Sequence, residues 1–174
     1  MLCTVEEIRS YVTTDLTDAQ IVARMAAIEA AVRAYTNNHF LYINAKANAY
    51  QVAAATMIDN DVFQVGDTVE INHSVRSDGL CKVIAADGEG VLLDPVPCGE
   101  KGGFTVTLVK YPADVKMAAI NMLKWSLEYG DKVGIKSETI SRWSVSYADM
   151  DNTSEGGYPR AIMAALKPYR QAQI

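Results

Sequence analysis

The feature that most constrains this sequence is a change in the spacing of its apolar residues, from helical to alternating and back again. Before residue 40 and after residue 110, they recur every three or four positions, as on one side of an α-helix. Between these positions they mostly alternate with polar residues, as in β-strands with one buried face. The pattern predicts an α+β protein: a small α-helical bundle interrupted by an inserted antiparallel β barrel or sandwich module. The expected parts are a helical core of residues 1–39 and 111–174 and a β module of residues 40–110.

The most apolar helical segment covers residues 111–130. Pro112 suits a first helical turn, and Gly130 can end a helix in the left-handed conformation. A helix that is apolar around most of its circumference must be covered on more than one side, so we expect this one at the centre of the bundle. Its apolar face comprises Val115, Ala118, Ala119, Met122, Leu123, Ser126 and Leu127, extended by Ile120, Trp125 and Tyr129.

Two capping boxes predict where the N-terminal helices begin. In each, a Thr hydroxyl and a side chain three residues later bond to each other's backbone N–H groups. Thr4 with Glu7 opens a short helix to about residue 12, and Thr17 with Gln20 opens a longer one to about residue 36.

The longer helix has two different sides. One is an apolar stripe expected to pack on the central helix; it consists of Ile21, Met25, Ile28, Val32 and Tyr35. The other side is rich in alanine, at Ala19, Ala23, Ala26, Ala27, Ala30 and Ala34. Alanine here has two interpretations: helix propensity alone, or a flat surface for close approach by another helix or subunit.

Within residues 40–110, alternating runs are separated by glycine-containing turn signals, and five or six short strands are expected. Residues 50–58 are interpreted as one strand, and two others centre on Val69–Ile71 and Phe104–Leu108. The module has nine acidic and five basic residues, which does not favour nucleic-acid binding.

The C-terminal third predicts an extended arm and a last helix. Residues 138–147 alternate, which indicates one isolated strand or arm within residues 134–157. Such a strand needs a sheet edge, on the β module or on a neighbouring subunit. Tyr158-Pro159 then opens a final helix to about residue 170, with an apolar stripe at Ile162, Met163 and Leu166.

No catalytic motif, metal-ligand spacing or cofactor fingerprint stands out, so we expect no catalytic residues, no metal and no cofactor. Asp59, Asp61 and Asp67 fit turns, and His39 and His73 fit surface or capping positions. The three scattered cysteines suit a reducing compartment. No apolar run is long enough to span a bilayer, and the N-terminus does not have the pattern of a secretory signal.

The ordered set of segments resembles the head-tail connector proteins (adaptor or head-completion proteins) of tailed bacteriophages and prophages, the gp6-like and YqbG-like family. The resemblance is carried by IEAAVRAYTNNHF at 28–40, FQVGDTVEINHSVRSDGLCKV at 63–83 and YPADVKMAAINMLKW at 111–125. GIKSETISRWSVSY at 134–147 and GGYPRAIMAALKPYR at 156–170 complete it.

The resemblance implies a structural protein of the virion neck, assembled in the bacterial cytoplasm. Such connectors form a ring of about twelve subunits between the portal protein and a stopper or tail-completion protein. DNA passes through the channel of the ring without specific binding, and the net charge of −5 agrees with this. No membrane is involved.

The expected protein interface combines the arm with the helices. In the arm its residues are Ile140, Arg142, Trp143, Val145 and Tyr147, and in the helices Ala23, Ala27, Ala30, Ala34, Arg160 and Arg170. Two other functions remain open at this point. The F-x-x-G-D-x-V-x-I pattern from Phe63 also occurs in small SH3-like barrels, which indicates a nucleic-acid-binding module as the alternative. An enzyme with an unrecognised site would need a pocket that holds a perturbed acid or histidine.

Overall fold

A computed structural model describes residues 2–52, 55–58, 62–87, 90–97, 102–130, 137–140, 143–146 and 154–172. The chain divides into two compact units, one of Met1–Asn38 with Tyr111–Ile174 and one of His39–Lys110. Helices dominate the first unit, and the second contains an antiparallel β module, so the predicted α+β class is confirmed.

The helical unit is built around its second and third helices. Its helices are α1 (Val5–Tyr11), α2 (Asp18–Thr36), α3 (Ala113–Tyr129) and α4 (Arg160–Ala164), followed by a 3-10 turn at Lys167–Tyr169. Helix α2 packs against α3, as its apolar stripe predicts; α1 contacts α2, and α4 contacts α3.

Both predicted capping boxes are present. The Thr4 hydroxyl accepts the N–H of Glu7 at 3.1 Å, and the Glu7 carboxylate accepts the N–H of Thr4 at 2.9 Å. Thr17 and Gln20 make the corresponding bonds at 3.3 and 2.9 Å. The predicted stop after α2 is also confirmed, because Asn37 caps it in the left-handed conformation with φ 47°.

Burial of α3 is uneven along its length. The side chains of its first three turns form the core of the unit, namely Val115, Ala118, Ala119, Ile120, Met122 and Leu123. Trp125, Ser126 and Leu127 are only half-buried, and Tyr129 is exposed. The predicted left-handed end at Gly130 is wrong: Gly130 caps the helix in the right-handed conformation, with φ −57° and ψ −37°.

The β module has six strands: β1 (Leu41–Val52), β2 (Ala55–Ile58), β3 (Thr68–Asn72), β4 (Gly79–Asp87), β5 (Gly90–Asp94) and β6 (Phe104–Val109). They form a closed antiparallel barrel in the order β1-β2-β5-β4-β3-β6. Its interior holds Phe63, which precedes β3, and apolar side chains that alternate along the strands: Ala47, Ala49, Val69, Ile71, Cys81, Val83, Val91, Leu93, Phe104 and Val106.

The interpretation of residues 50–58 as one strand is wrong. Strand β1 ends at Val52, and β2 begins at Ala55 and runs back along it, with Val52 opposite Ala55 and Tyr50 opposite Met57. A hairpin with a two-residue loop shifts the alternation by one residue, but residues 52–55 are all apolar, so the sequence does not show the shift.

The same correction applies to the arm. Its described part is a hairpin of β7 (Ser137–Ile140) and β8 (Trp143–Ser146), with Ile140 opposite Trp143. The backbone groups of these two strands therefore pair with each other, whereas the sequence predicts one isolated strand.

The C-terminal segment is less helical than predicted. Tyr158–Pro159 forms β10, which pairs with β9 (Ser154–Glu155) across a turn at Gly156 and Gly157. These glycines have φ values of 61° and 82°, a region that favours glycine. Helix α4 ends at Ala164, and a 3-10 turn that contains Pro168 follows. Because proline lacks the N–H that a helix interior needs, the α-helix does not continue through Pro168.

Candidate interaction surface

The alanine side of α2 is exposed. Ala19, Ala23, Ala26, Ala27, Ala30 and Ala34 all lie at the surface, and Val22 at its margin is 41% exposed. We call these six alanines the alanine face. From residue 25 to the end of α2, every exposed position is alanine. A solvent-facing helix side normally carries charged residues, so this face is unusual for a helix that meets only water.

The opposite side of α2 explains why the helix adopts this orientation. Ile21, Met25, Ile28 and Val32 are buried, each at most 3% exposed. At 100° per residue, Ala23, Ala27, Ala30 and Ala34 centre about 180° away from this stripe. Packing of the stripe on α3 therefore necessarily turns the alanine face outward.

The structure describes three of the five arm residues of the predicted interface. Ile140, Trp143 and Val145 lie in the β7–β8 hairpin, whereas Arg142 and Tyr147 lie outside the described residues. In the hairpin register Glu138 is opposite Val145 and Ile140 is opposite Trp143, so these four positions share one face of the sheet. A single strand would instead have placed Ile140 on the face opposite to Trp143 and Val145.

The two arginines of the predicted interface lie in the C-terminal segment. Arg160 is exposed and is the first residue of α4. Arg170 is exposed too, but its guanidinium carbon lies 5.1 Å from the centre of the Tyr35 ring in the same chain. At this distance a cation–π attraction is expected, so Arg170 already has a binding partner within the helical unit.

Sequence reasoning missed a buried polar contact between α2 and the start of the second helical segment. The Tyr111 hydroxyl donates to Oε1 of Glu29 at 2.8 Å, and the two residues are 8% and 5% exposed. Burial raises the pKa of Tyr111, and the nearby Glu29 carboxylate adds to the rise, against an opposing hydrogen bond with Arg33. The spacing of apolar residues does not predict that Glu29 is buried, because Glu29 lies beside the apolar stripe and not within it.

An aromatic cluster lies at the C-terminal end of α3. The Trp125 ring stacks on Tyr129 with centroids 6.2 Å apart and meets the edge of Tyr158 at 5.7 Å. Partial burial raises the pKa of the Tyr158 hydroxyl. Tyr158 therefore contacts its own chain, as predicted.

In the barrel, His39 is exposed, as predicted, but it has an unexpected partner. Its Nδ1 lies 2.5 Å from Oε1 of Glu70, whose side chain is only 4% exposed. Glu70 sits between Val69 and Ile71 on β3, where alternation predicts an outward, solvated side chain. The exposed imidazole thus provides the polar contact that a buried carboxylate requires.

The described thiols are buried. The Cys3 thiol lies 3.8 Å from the carbonyl oxygen of Lys116, and Cys81 lies 3.6 Å from that of Pro95. Burial raises the pKa of each thiol from 9.0 to about 11. Both are thus held as neutral thiols at neutral pH, the form with little nucleophilic reactivity. Cys98 lies outside the described residues.

Within the described ranges, no three His, Cys, Asp or Glu side chains are grouped so that they could hold a metal ion. Asp67 makes a local turn contact, because its carboxylate accepts the N–H of Gln64 at 2.8 Å. Asp59 and Asp61 fall outside those ranges. In the same part of the chain, no helix is long and apolar enough to cross a membrane.

Comparison with known proteins adds no assignment. No protein-family profile matches the sequence. A search of curated proteins likewise gives no significant match. The functional conclusion therefore depends on the residues and on the geometry described above.

Proposed function

We propose that this protein is a structural assembly subunit that forms a ring with copies of itself, as a head-tail connector between a phage portal protein and a stopper or tail protein. The observation that carries the proposal is the alanine face of α2. Small side chains let a second backbone approach closely. Alanine side chains also make no hydrogen bonds with water, so covering them breaks none. Such a face suits the flank of a neighbouring subunit.

The β7–β8 hairpin supports the same proposal. A two-stranded hairpin of four-residue strands is marginally stable alone in water. Its register brings Ile140, Trp143 and Val145, together with Glu138, to one face. The other face has four Ser and Thr positions, 137, 139, 144 and 146. A surface that contacts the apolar positions would stabilise the hairpin, and in a ring the next subunit can supply it.

The order of the parts also agrees with the resemblance to connector proteins. A helical unit built from two separate stretches of chain holds a barrel that begins at His39 and ends at Lys110. The formal net charge of −5 would favour passage of DNA over its retention, since backbone binding requires clustered Lys and Arg. In this proposal the protein recognises protein surfaces and carries out no reaction.

The test is the molar mass in solution, measured by light scattering over a wide concentration range, with and without the cognate portal protein. We expect higher oligomers at high concentration or on the portal. A protein that stays monomeric under both conditions would contradict the proposal.

A variant of the hairpin sharpens this test. Trp143→Ala should weaken assembly by about 2 kcal/mol or more, which is the usual cost of truncating an interface anchor. Ser144→Ala, a change in the neighbouring residue on the other face, is the matched control. If Trp143→Ala lowers the melting temperature of the monomer and Ser144→Ala does not, Trp143 packs within its own chain, and the assignment of the hairpin to the interface fails.

A further inference from the structure

The C-terminal residues Lys167–Ala172, which we call the strap, are held by a set of polar contacts. The N–H of Gln171 donates to the carbonyl oxygen of Thr36 at 2.8 Å. The side-chain amide of Asn37 donates to the carbonyl oxygen of Ala172 at 3.2 Å, and that of Asn38 to the carbonyl oxygen of Tyr169 at 3.1 Å. The strap thus bonds to the last residue of α2 and to the two residues that follow it.

The strap also reaches the beginning of α3. The Tyr169 hydroxyl lies 2.8 and 2.7 Å from the two carboxylate oxygens of Asp114. Together with Arg170 over the Tyr35 ring, these contacts join the strap to both elements that flank the barrel in sequence. Asn38 is the last residue before the barrel, and Asp114 follows shortly after it.

Burial changes abruptly at the start of the strap. Met163 and Leu166, just before it, are 2% and 0% exposed and anchor the end of α4 in the core. From Lys167 to Ala172 no residue is buried. Segments with few buried apolar contacts and exposed hydrogen bonds are the ones that open at low free-energy cost.

We propose that the strap opens and closes as one unit over the end of α2 and the start of α3, with its hinge between Leu166 and Lys167. The bonds from Tyr169, Gln171 and Ala172 are made by one short stretch of chain, so loss of one contact weakens the others. Closed, the strap caps the α2 carboxyl end and bonds to Asp114, which remains exposed. Open, it breaks these bonds and moves the Arg170 guanidinium away from the Tyr35 ring, while Met163 and Leu166 stay in place.

This device is independent of ring formation, and hydrogen exchange of the full-length protein tests it under monomeric conditions. The amide of Gln171 should be protected, but it should exchange at least a hundredfold faster than that of Leu123 in the core of α3. Full exposure of the Gln171 amide, or protection equal to that of Leu123, would overturn the proposal.

Coupling along the strap is tested by Tyr169→Phe, which removes only the bond to Asp114. Exchange of the Gln171 amide should then become about two- to tenfold faster, the range that corresponds to one exposed hydrogen bond. Tyr158→Phe is the matched control, because it makes the same change just before α4 and outside the strap. No change at Gln171 in Tyr169→Phe, or equal acceleration in both variants, would show that the strap does not open as a unit.

Discussion

The barrel and the helical unit differ in how their main elements are completed: the barrel pairs its strands with one another, whereas the helical unit leaves one apolar side of a helix exposed. In the barrel, β1 pairs with both β2 and β6, so the hydrogen-bonded ladder closes and apolar side chains fill the interior. In the helical unit, α2 buries one stripe and turns the alanine face to solvent. The barrel thus completes its own backbone pairing, whereas the alanine face is the surface that a neighbouring subunit would cover in the ring proposed above.

The largest expected effects come from the two cores. Leu93 in the barrel and Leu123 in α3 are both 0% exposed. Replacement of either by alanine should cost about 2–5 kcal/mol, through lost burial and the cavity left behind. Hydrogen exchange followed residue by residue should show the loss mainly in the barrel for Leu93→Ala and mainly in the helices for Leu123→Ala. Equal losses in both units from either variant would contradict the description of two separate cores.

The next effect concerns the buried contact in the helical unit. Tyr111→Phe removes the hydroxyl that donates to Glu29 and should cost about 1–3 kcal/mol, since a buried carboxylate loses a donor. Urea unfolding measures the change. Tyr11→Phe, at a side chain 52% exposed in the same unit, should change stability by less than about 0.5 kcal/mol. Similar costs for the two variants would mean that the hydrogen bond from Tyr111 to Glu29 contributes little to stability.

A pH titration compares the two units through their thiols. Cys3 in the helical unit and Cys81 in the barrel have pKa values raised from 9.0 to about 11. The folded state therefore holds these protons more tightly than the unfolded state, so stability is full below pH 9 and falls as the pH rises toward 11. Each thiol should account for a loss of about 1 kcal/mol between pH 8 and pH 10.

The measurement is the free energy of unfolding at pH 8, 9 and 10. Cys3→Ala and Cys81→Ala should each have a shallower decline than the unmodified protein, even if both are less stable at pH 8. Parallel declines in all three proteins would show that these thiols do not titrate differently on unfolding.

Much of the helical unit could be predicted from sequence because its signals are local. The Thr4 and Thr17 capping boxes, the stop at Asn37 and the buried stripe of α2 each depend on residues within a few positions of one another. Burial of Glu29 could not be predicted in this way, since it depends on Tyr111, which is 82 residues away in sequence.

The β regions were harder to predict from the sequence, and the same physical reason applies to two of them. A two-residue loop reverses the chain and shifts the alternation of apolar and polar residues by one position, and a shift of one position is easily overlooked in short runs. Both residues 50–58 and the arm were therefore interpreted as single strands, although Val52 pairs with Ala55 and Ile140 with Trp143. The buried Glu70 was also missed, because its partner His39 lies before the first strand.

The smallest expected effect on stability comes from the alanine face. The double variant Ala27→Glu with Ala30→Glu places two charges on exposed positions, so it should change the free energy of unfolding by less than about 1 kcal/mol. Ala113→Glu, at the exposed first residue of α3, is the control, because Glu suits a helix start. A large loss of stability in the double variant would mean that the alanine face packs within the chain.

The most direct test of the central claim is the mass of the assembled particle, measured by native mass spectrometry on the unmodified protein and on the Ala27→Glu, Ala30→Glu variant. We predict a closed oligomer of a single stoichiometry for the unmodified protein and for Ala113→Glu, and monomers for the double variant. Equal assembly of all three proteins, or monomers throughout even with the portal protein present, would contradict the account.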